Sequence, residues 1–232
     1  MDIPSGNFTD EDIKKANKEF NRIIDNLKNN KIFNRYFSDL DNENKKKTKI
    51  EIVNLDERLA GETTRNNKNN DRTISFNSSI YDRLKETFTK LCLGKDLDEM
   101  DAININYFVH EYLHNRQIYL FNLNGFIRNL SEGLTEIIAQ RYTNNFLKTF
   151  CGDTIKYKKV TDTFIYRDVV NVMKPLLLEF KDEKIYDDIE NMLEIVNHNN
   201  IFENLLKVIN GYDKRLSITI VMTLREKLQK NK

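Results

Sequence analysis

The chain has 232 residues, of which 39% are hydrophobic and 31% charged, a balance typical of a globular protein rather than a disordered one. Its 37 basic and 36 acidic residues leave a net charge of +1, which provides no electrostatic footprint for nucleic acid or for an anionic membrane. The small numbers of prolines and glycines, 2 and 7, favour long helices over an all-β design.

The beginning of the chain, MDIPSGNFTDEDIKK, has no basic region followed by an apolar run, and no apolar stretch approaches transmembrane length. The two cysteines, Cys92 and Cys151, follow no disulfide or metal-binding spacing, which indicates ordinary thiols in a reducing compartment. We therefore predict a cytoplasmic protein with no membrane partner, and export by another route stays open.

Hydrophobic periodicity predicts a first half with a small sheet and a second half that is almost all helix. Thr9 and Asp12 form a capping box at the start of the first helix. In chain order we predict a helix over 9–29, a strand over 49–55, a hairpin or exposed loop over 60–72, a strand over 73–77 and a helix over 79–93. Further helices are predicted from about residue 104 onward, then over 129–150, 164–181, 184–197, 200–210 and 214–230.

The breaks between the later helices, at 151–153, 197–200 and 211, are too short to be interdomain linkers. We therefore predict a single domain over 1–232. It comprises an N-terminal helical part over 1–45, the sheet and metal-binding helices over 46–150, and a helical C-terminal part over 151–232. The predicted fold class is α+β and predominantly helical.

Residues 110–114 read HEYLH and contain two of the three histidines in the chain. Four residues apart on a helix, His110 and His114 lie on one face and can reach one tetrahedral metal ion. Glu111 projects beside the metal, where it can take a proton from a metal-activated water. The alternative is a pair of histidines at the core edge that bracket a surface glutamate. The apolar neighbours should pack in the core and leave the histidines at the edge of a cleft: Phe108, Val109, Tyr112 and Leu113.

A catalytic zinc usually has three protein ligands and one position for water. A metzincin would need a Gly and a His soon after the motif, where this chain has Gln117 and Leu120, so that class is excluded. We therefore look for the third ligand on a following helix.

The segment NLSEGLTE at 129–136 offers two carboxylates one helical turn apart. Glu132 is the preferred third ligand, near the start of a helix that Asn129 or Ser131 could cap. Glu136 is predicted to accept a hydrogen bond from the free ring nitrogen of a zinc histidine. Gly133 is predicted to let this helix approach the metal helix closely. An ordinary solvated acidic helix face is the alternative.

HEYLH at 110–114 together with SEGLTE at 131–136 resembles the gluzincin metallopeptidases, the superfamily of thermolysin-like and aminopeptidase-like enzymes. The chain departs from the usual pattern at Ser131, where Asn is common, and in a slightly shorter gap between the two motifs. The resemblance implies Zn²⁺ as cofactor, held by His110, His114 and Glu132. It also implies Glu111 as the general base and Glu136 as the carboxylate that supports a zinc histidine.

The resemblance also implies a zincin-like fold, with a small mixed sheet before the motif helix and an edge strand above the metal. A peptide or protein substrate would add to that edge as a further strand. The strand at 73–77, or the segment at 64–71 before it, is in the right place in the chain. Related enzymes stabilise the oxyanion with a downstream Tyr or His. Tyr166 is preferred over Tyr142, Tyr157 and His198, and Arg141 or Arg167 could orient the substrate.

Two functions from different classes follow. The first is a zinc-dependent peptidase that hydrolyses peptide bonds by metal-activated water, with Glu111 as general base. The second is a catalytically inactive zincin-fold binding module with a structural zinc. The intact Glu111 favours the peptidase, because a purely structural site would not need it.

Overall fold

The computed structural model describes residues 8–41, 48–56, 59–66, 71–117, 125–161, 166–180, 182–195 and 200–229. Over these residues the fold is a predominantly helical α+β arrangement with one three-stranded mixed sheet, as predicted. No helix within these ranges is long and apolar enough to cross a membrane. The helices are α1 (Asp10–Lys28), α2 (Lys31–Tyr36), α3 (Tyr81–Leu93), α4 (Glu99–Arg116), α5 (Phe126–Cys151), α6 (Arg167–Leu178), α7 (Lys184–Ile195), α8 (Ile201–Tyr212) and α9 (Lys214–Gln229). The strands are β1 (Thr48–Val53), β2 (Gly61–Arg65) and β3 (Arg72–Asn77).

The chain divides into two compact units. The first comprises Met1–Asn115 with Tyr142–Thr161, and the second comprises Arg116–Arg141 with Asp162–Lys232. The division cuts the chain within helices α4 and α5, each of which is continuous. A single domain over 1–232 stays a prediction.

The sheet of the first unit has the strand order β1-β3-β2, with β1 parallel and β2 antiparallel to β3. The strand predicted at 73–77 is therefore β3, but it is the central strand, and the prediction that it forms the edge is wrong. The alternative segment, 64–71, overlaps an edge strand at Thr64 and Arg65. The edge strand beside it is β2, within a segment predicted as a hairpin or loop. Its sequence, GETTR, contains no large apolar residue, and pairing with β3 supplies the order that hydrophobic alternation does not.

The other edge of the sheet is covered by helix α1. The capping box predicted at its start is present: Thr9 and Asp12 exchange backbone-to-side-chain hydrogen bonds. Further along α1, the Asn17 amide donates to the carbonyl of Ile52 at 2.9 Å and accepts from its N–H at 2.8 Å. Asn17 thus satisfies the backbone of β1 as a neighbouring strand would.

An aromatic cluster holds α4 in the core of the first unit. The ring of Phe108, two residues before the metal motif, is fully buried. It stacks on Phe76 of β3 at 5.8 Å between centroids and meets Phe88 of α3 at 4.9 Å and Phe37 at 5.4 Å. Such large aromatic contacts fix the helix against the sheet, so the backbone that carries the motif is firmly placed in this unit.

The second unit is helical, and two details of its helices differ from the prediction. Helix α5 begins at Phe126, after Gly125 at φ 66°, so Asn129 and Ser131 lie inside the helix and cannot cap it. Gly211, predicted as a break, lies within α8. The core side chains come from one face of each helix: Leu130, Leu134, Ile137 and Ile138 from α5, Val169, Met173 and Leu177 from α6, Ile185 and Ile189 from α7, Leu205 and Ile209 from α8, and Ile220 from α9.

Candidate metal centre

The helix that carries the motif, α4, is buried on nearly every side. Asp98 caps it, because Asp98 and Asp101 exchange hydrogen bonds of 2.9 Å between side chain and backbone. The four apolar neighbours of the histidines lie in the core as predicted. The histidines themselves are 4% and 8% exposed, for His110 and His114, so both are buried rather than open to solvent.

The two imidazole rings face each other. Nε2 of His110 lies 3.1 Å from Nε2 of His114, and the ring planes make an angle of 75°. Two nitrogen ligands of one tetrahedral zinc, each about 2.0–2.1 Å from the ion, would lie about 3.3–3.4 Å apart. The observed separation fits a shared ion closely. It is also the length of an N–H···N hydrogen bond between one protonated and one bare ring nitrogen.

Glu132 completes a group of three possible ligands. One ligand atom from each of His110, His114 and Glu132 lies within 4.8 Å of the other two. Helix α5 carries Glu132 and is continuous, and further along it the Thr143 hydroxyl donates to Asn106 of α4 at 3.3 Å. Two imidazoles and one carboxylate form a donor set of catalytic zinc sites, and the same set binds iron(II) in some oxygenases.

Glu111 is held by the edge strand of the sheet. The hydroxyl of Thr63 on β2 lies 2.9 Å from the Glu111 backbone oxygen and 2.9 Å from its Oε2, and can donate to either. Gly61 on the same strand makes room for this side chain, because a Cβ there would lie 3.0 Å from Cγ of Glu111 and 3.1 Å from the Ser75 oxygen. The carboxylate therefore has a fixed position against β2.

Glu136, the predicted support for a zinc histidine, is completely buried. Its Oε1 accepts a hydrogen bond of 3.0 Å from the Gln140 amide, whose oxygen accepts one of 2.7 Å from Lys174 on α6. These two hydrogen bonds connect the carboxylate to the Lys174 ammonium group, and such a connection lowers the cost of burying an ionised group. Its supporting role toward a histidine stays a prediction.

Gly133 has a different partner from the predicted one. A Cβ built there would come within 3.0 Å of Cβ and Cγ1 of Val169 on α6, and the three nearest atoms all belong to that valine. The glycine therefore allows α6 to approach α5 closely, and its predicted role toward the metal helix stays a prediction. Val169 lies in the first turn of α6, so the start of α6 is next to the turn of α5 that bears Glu132.

Tyr166, the preferred oxyanion residue, immediately precedes α6 and occupies its N-cap position. It is the one non-glycine residue with positive φ in the part of the chain that the structure describes, at φ 52° and ψ 29°. A bulky residue in this region is strained, and such strain is common at functional sites. Tyr166 is half-buried, and its carbonyl accepts from Val169 at 3.1 Å, so the residue lies one turn from the contact with Gly133.

The other residues predicted to stabilise the oxyanion or orient the substrate lie in varied surroundings. The hydroxyl of Tyr142 donates to the carbonyl of Tyr36 within an aromatic cluster. Arg141 pairs with Asp187 at 2.6 Å and lies over the ring of Tyr186. Tyr157 is half-buried, Arg167 is exposed at the start of α6, and His198 lies outside the described residues.

Sequence reasoning missed Thr63 and Gly61. Both belong to β2, which carries no hydrophobic signal, and nothing in the sequence pairs them with Glu111.

Searches against models of known families, curated proteins and solved structures found no match. The resemblance to gluzincins therefore rests on the motif residues themselves.

Proposed function

We propose that the protein is a zinc-dependent peptidase of the gluzincin type, acting on peptides or proteins. The observation that carries this proposal is the group of His110, His114 and Glu132, whose ligand atoms lie within 4.8 Å of one another. The fixed carboxylate of Glu111, next to His110 in the chain, adds the proton acceptor that hydrolysis needs.

In this proposal His110, His114 and Glu132 hold Zn²⁺, which when bound supplies a Lewis acid for the scissile carbonyl and lowers the pKa of a coordinated water. Glu111 takes a proton from the attacking water and delivers it to the leaving amine. Thr63 orients Glu111 through its hydrogen bond of 2.9 Å to Oε2.

Two further residues have proposed supporting roles. Glu136, held through Gln140 by Lys174, would accept the ring N–H of a ligand histidine and so fix the tautomer. Tyr166 would donate to the oxyanion, a role supported by its strained backbone and by its place one turn from Val169, which packs on Gly133 beside Glu132.

The edge strand β2 supports an extended peptide as substrate. Thr63 touches the proposed base, so a chain added to the edge of β2 would run past Glu111. At the opposite edge, the side chain of Asn17 already bonds the backbone N–H and carbonyl of Ile52.

A cytoplasmic location is part of this proposal and is supported by two thiols, Cys92 and Cys151, that form no disulfide.

Metal binding is tested by elemental analysis of the purified protein. We expect one zinc per chain. Loss of a residue that only hydrogen-bonds a metal ligand weakens metal binding by about 10–100-fold. Glu132→Ala removes a ligand itself and should weaken zinc binding further. Glu203→Ala, at an exposed position of α8, is the matched control and should bind as the parent does. No metal after dialysis against zinc, or iron in place of zinc, would refute the proposed centre.

Catalysis is tested with a peptide library and Glu111→Gln. This change keeps the shape of the side chain and removes the base, so cleavage should fall by at least about 10²–10⁴-fold while zinc is retained. Glu99→Gln, exposed at the start of the same helix, should cleave normally. If Glu111→Gln leaves every measured activity unchanged, the inactive binding module with a structural zinc is the better description.

A further inference from the structure

Arg72, at the start of β3, is a buried arginine that touches the end of the motif helix. It is 1% exposed. Its Nη1 donates to the backbone oxygen of Asn115 and lies 3.3 Å from that of His114. These carbonyls are at the negative end of α4, where a cation is favourable. The contact fixes the plane of the guanidinium but uses only one of its three nitrogens.

The remaining edge of this guanidinium is the part that a ligand would occupy. Neither Nε nor Nη2 of Arg72 has a hydrogen-bond partner among the described residues. These two nitrogens point their N–H bonds in parallel, with the spacing that two oxygens of one carboxylate accept. A buried positive charge with unused donors is expensive, so an anion at this edge would stabilise the folded protein.

A second arginine lies opposite the first. Arg65 on β2 is the direct antiparallel partner of Arg72 in the sheet register. Burial, together with the charge of Arg65, lowers the pKa of Arg72 to about 10. Like charges opposite each other across a sheet are unfavourable, and an anion that binds both guanidinium groups would reverse that repulsion. Arg65 is half-buried and so provides the side from which a ligand can enter.

The position of this pair relates it to the proposed active site. Thr63 and Arg65 are two residues apart on β2, so both side chains lie on the same face of the strand. Thr63 touches Glu111, and Arg65 follows about 7 Å further along. A group bound there would belong to a peptide residue one or two positions from the scissile bond.

We propose that Arg65 and Arg72 form a carboxylate-binding subsite that selects peptides with an acidic side chain or a free C-terminus beside the cleaved bond. The nature of the ligand rests on the proposed peptidase function. The test therefore measures binding and not turnover.

The experiment uses fluorescence polarisation with labelled eight-residue peptides and the Glu111→Gln protein. A single Glu is moved along a neutral, C-terminally amidated sequence, and each peptide has a Gln twin. A third set has Gln and a free C-terminus. We expect one Glu position, or the free C-terminus, to bind at least about 30-fold more tightly than the amidated Gln twin. The set that shows this preference identifies the source of the carboxylate.

Three additional variants, made in the Glu111→Gln background, assign the preference to the arginines. Arg72→Met and Arg65→Met should each remove most of it, and Arg83→Met, exposed on α3, should leave it intact. Arg65 is only half-buried, so its variant serves if Arg72→Met does not fold. Equal binding of all twins, or a preference that survives both substitutions, overturns the subsite. Zinc content and library cleavage would still decide the peptidase proposal separately.

Discussion

Replacing Gly133 with alanine tests whether the approach of α6 to α5 determines the position of Glu132. The added Cβ would come within 3.0 Å of two atoms of Val169 and 3.3 Å from a third. Carbon atoms in contact normally lie about 3.5–4.0 Å apart. Val169 cannot rotate away, because its Cβ is attached directly to the backbone of α6 and its side chain is β-branched. The two helices must therefore separate.

The expected loss of stability is the difference between two effects. Overpacking a well-packed core costs about 1–3 kcal/mol, and the upper end applies where backbone has to move. Alanine in place of glycine within a helix stabilises the folded state by about 1 kcal/mol. We expect a net destabilisation of about 2 kcal/mol, which for a chain of this size lowers the melting temperature by about 4–8 °C. Zinc retention should also weaken, because Glu132 moves with its neighbour.

Thermal unfolding followed by circular dichroism measures the first effect, and elemental analysis after dialysis measures the second. Gly211→Ala in α8 is the matched control, because a Cβ there meets no atom within 4 Å. It should be neutral or stabilise by up to about 1 kcal/mol. A Gly133→Ala protein as stable as the parent would show that the helices do not pack at this glycine.

Two further predictions concern the base and the thiols. Thr63→Val should lower kcat/KM for peptide cleavage about tenfold, because it removes a hydrogen bond to the Glu111 carboxylate. Thr64→Val, at an exposed position of the same strand, should cleave as the parent does. Equal rates in both variants would contradict the orienting role of Thr63. At about pH 8, iodoacetamide should alkylate the exposed Cys92 and spare Cys151, since Cys151 is buried and its pKa is raised to about 11 mainly by that burial. Mass spectrometry of the folded and the urea-unfolded protein checks this, and equal labelling of both thiols in the folded protein would refute it.

The sequence alone determined the features that depend on local spacing. Helical periodicity and the capping box of Thr9 and Asp12 predicted α1, and β-branched alternation predicted β1. The spacing of four residues between His110 and His114 required their rings to lie on one helix face, since an α-helix has 3.6 residues per turn. The choice of Glu132 as the third member of this group was also made from sequence, and the structure brings its carboxylate to the two histidines.

Tertiary structure decided which distant residues meet. The polar segment GETTR becomes a strand only because β3 offers it backbone partners, and only that pairing brings Thr63 to Glu111 and Arg65 opposite Arg72. Gly133 could be recognised as a position of close approach, but its neighbour, Val169, depends on how α6 returns to α5. Local patterns specify the conformation of a segment and its apolar face, whereas contacts between segments depend on packing and strand register, which no local pattern encodes.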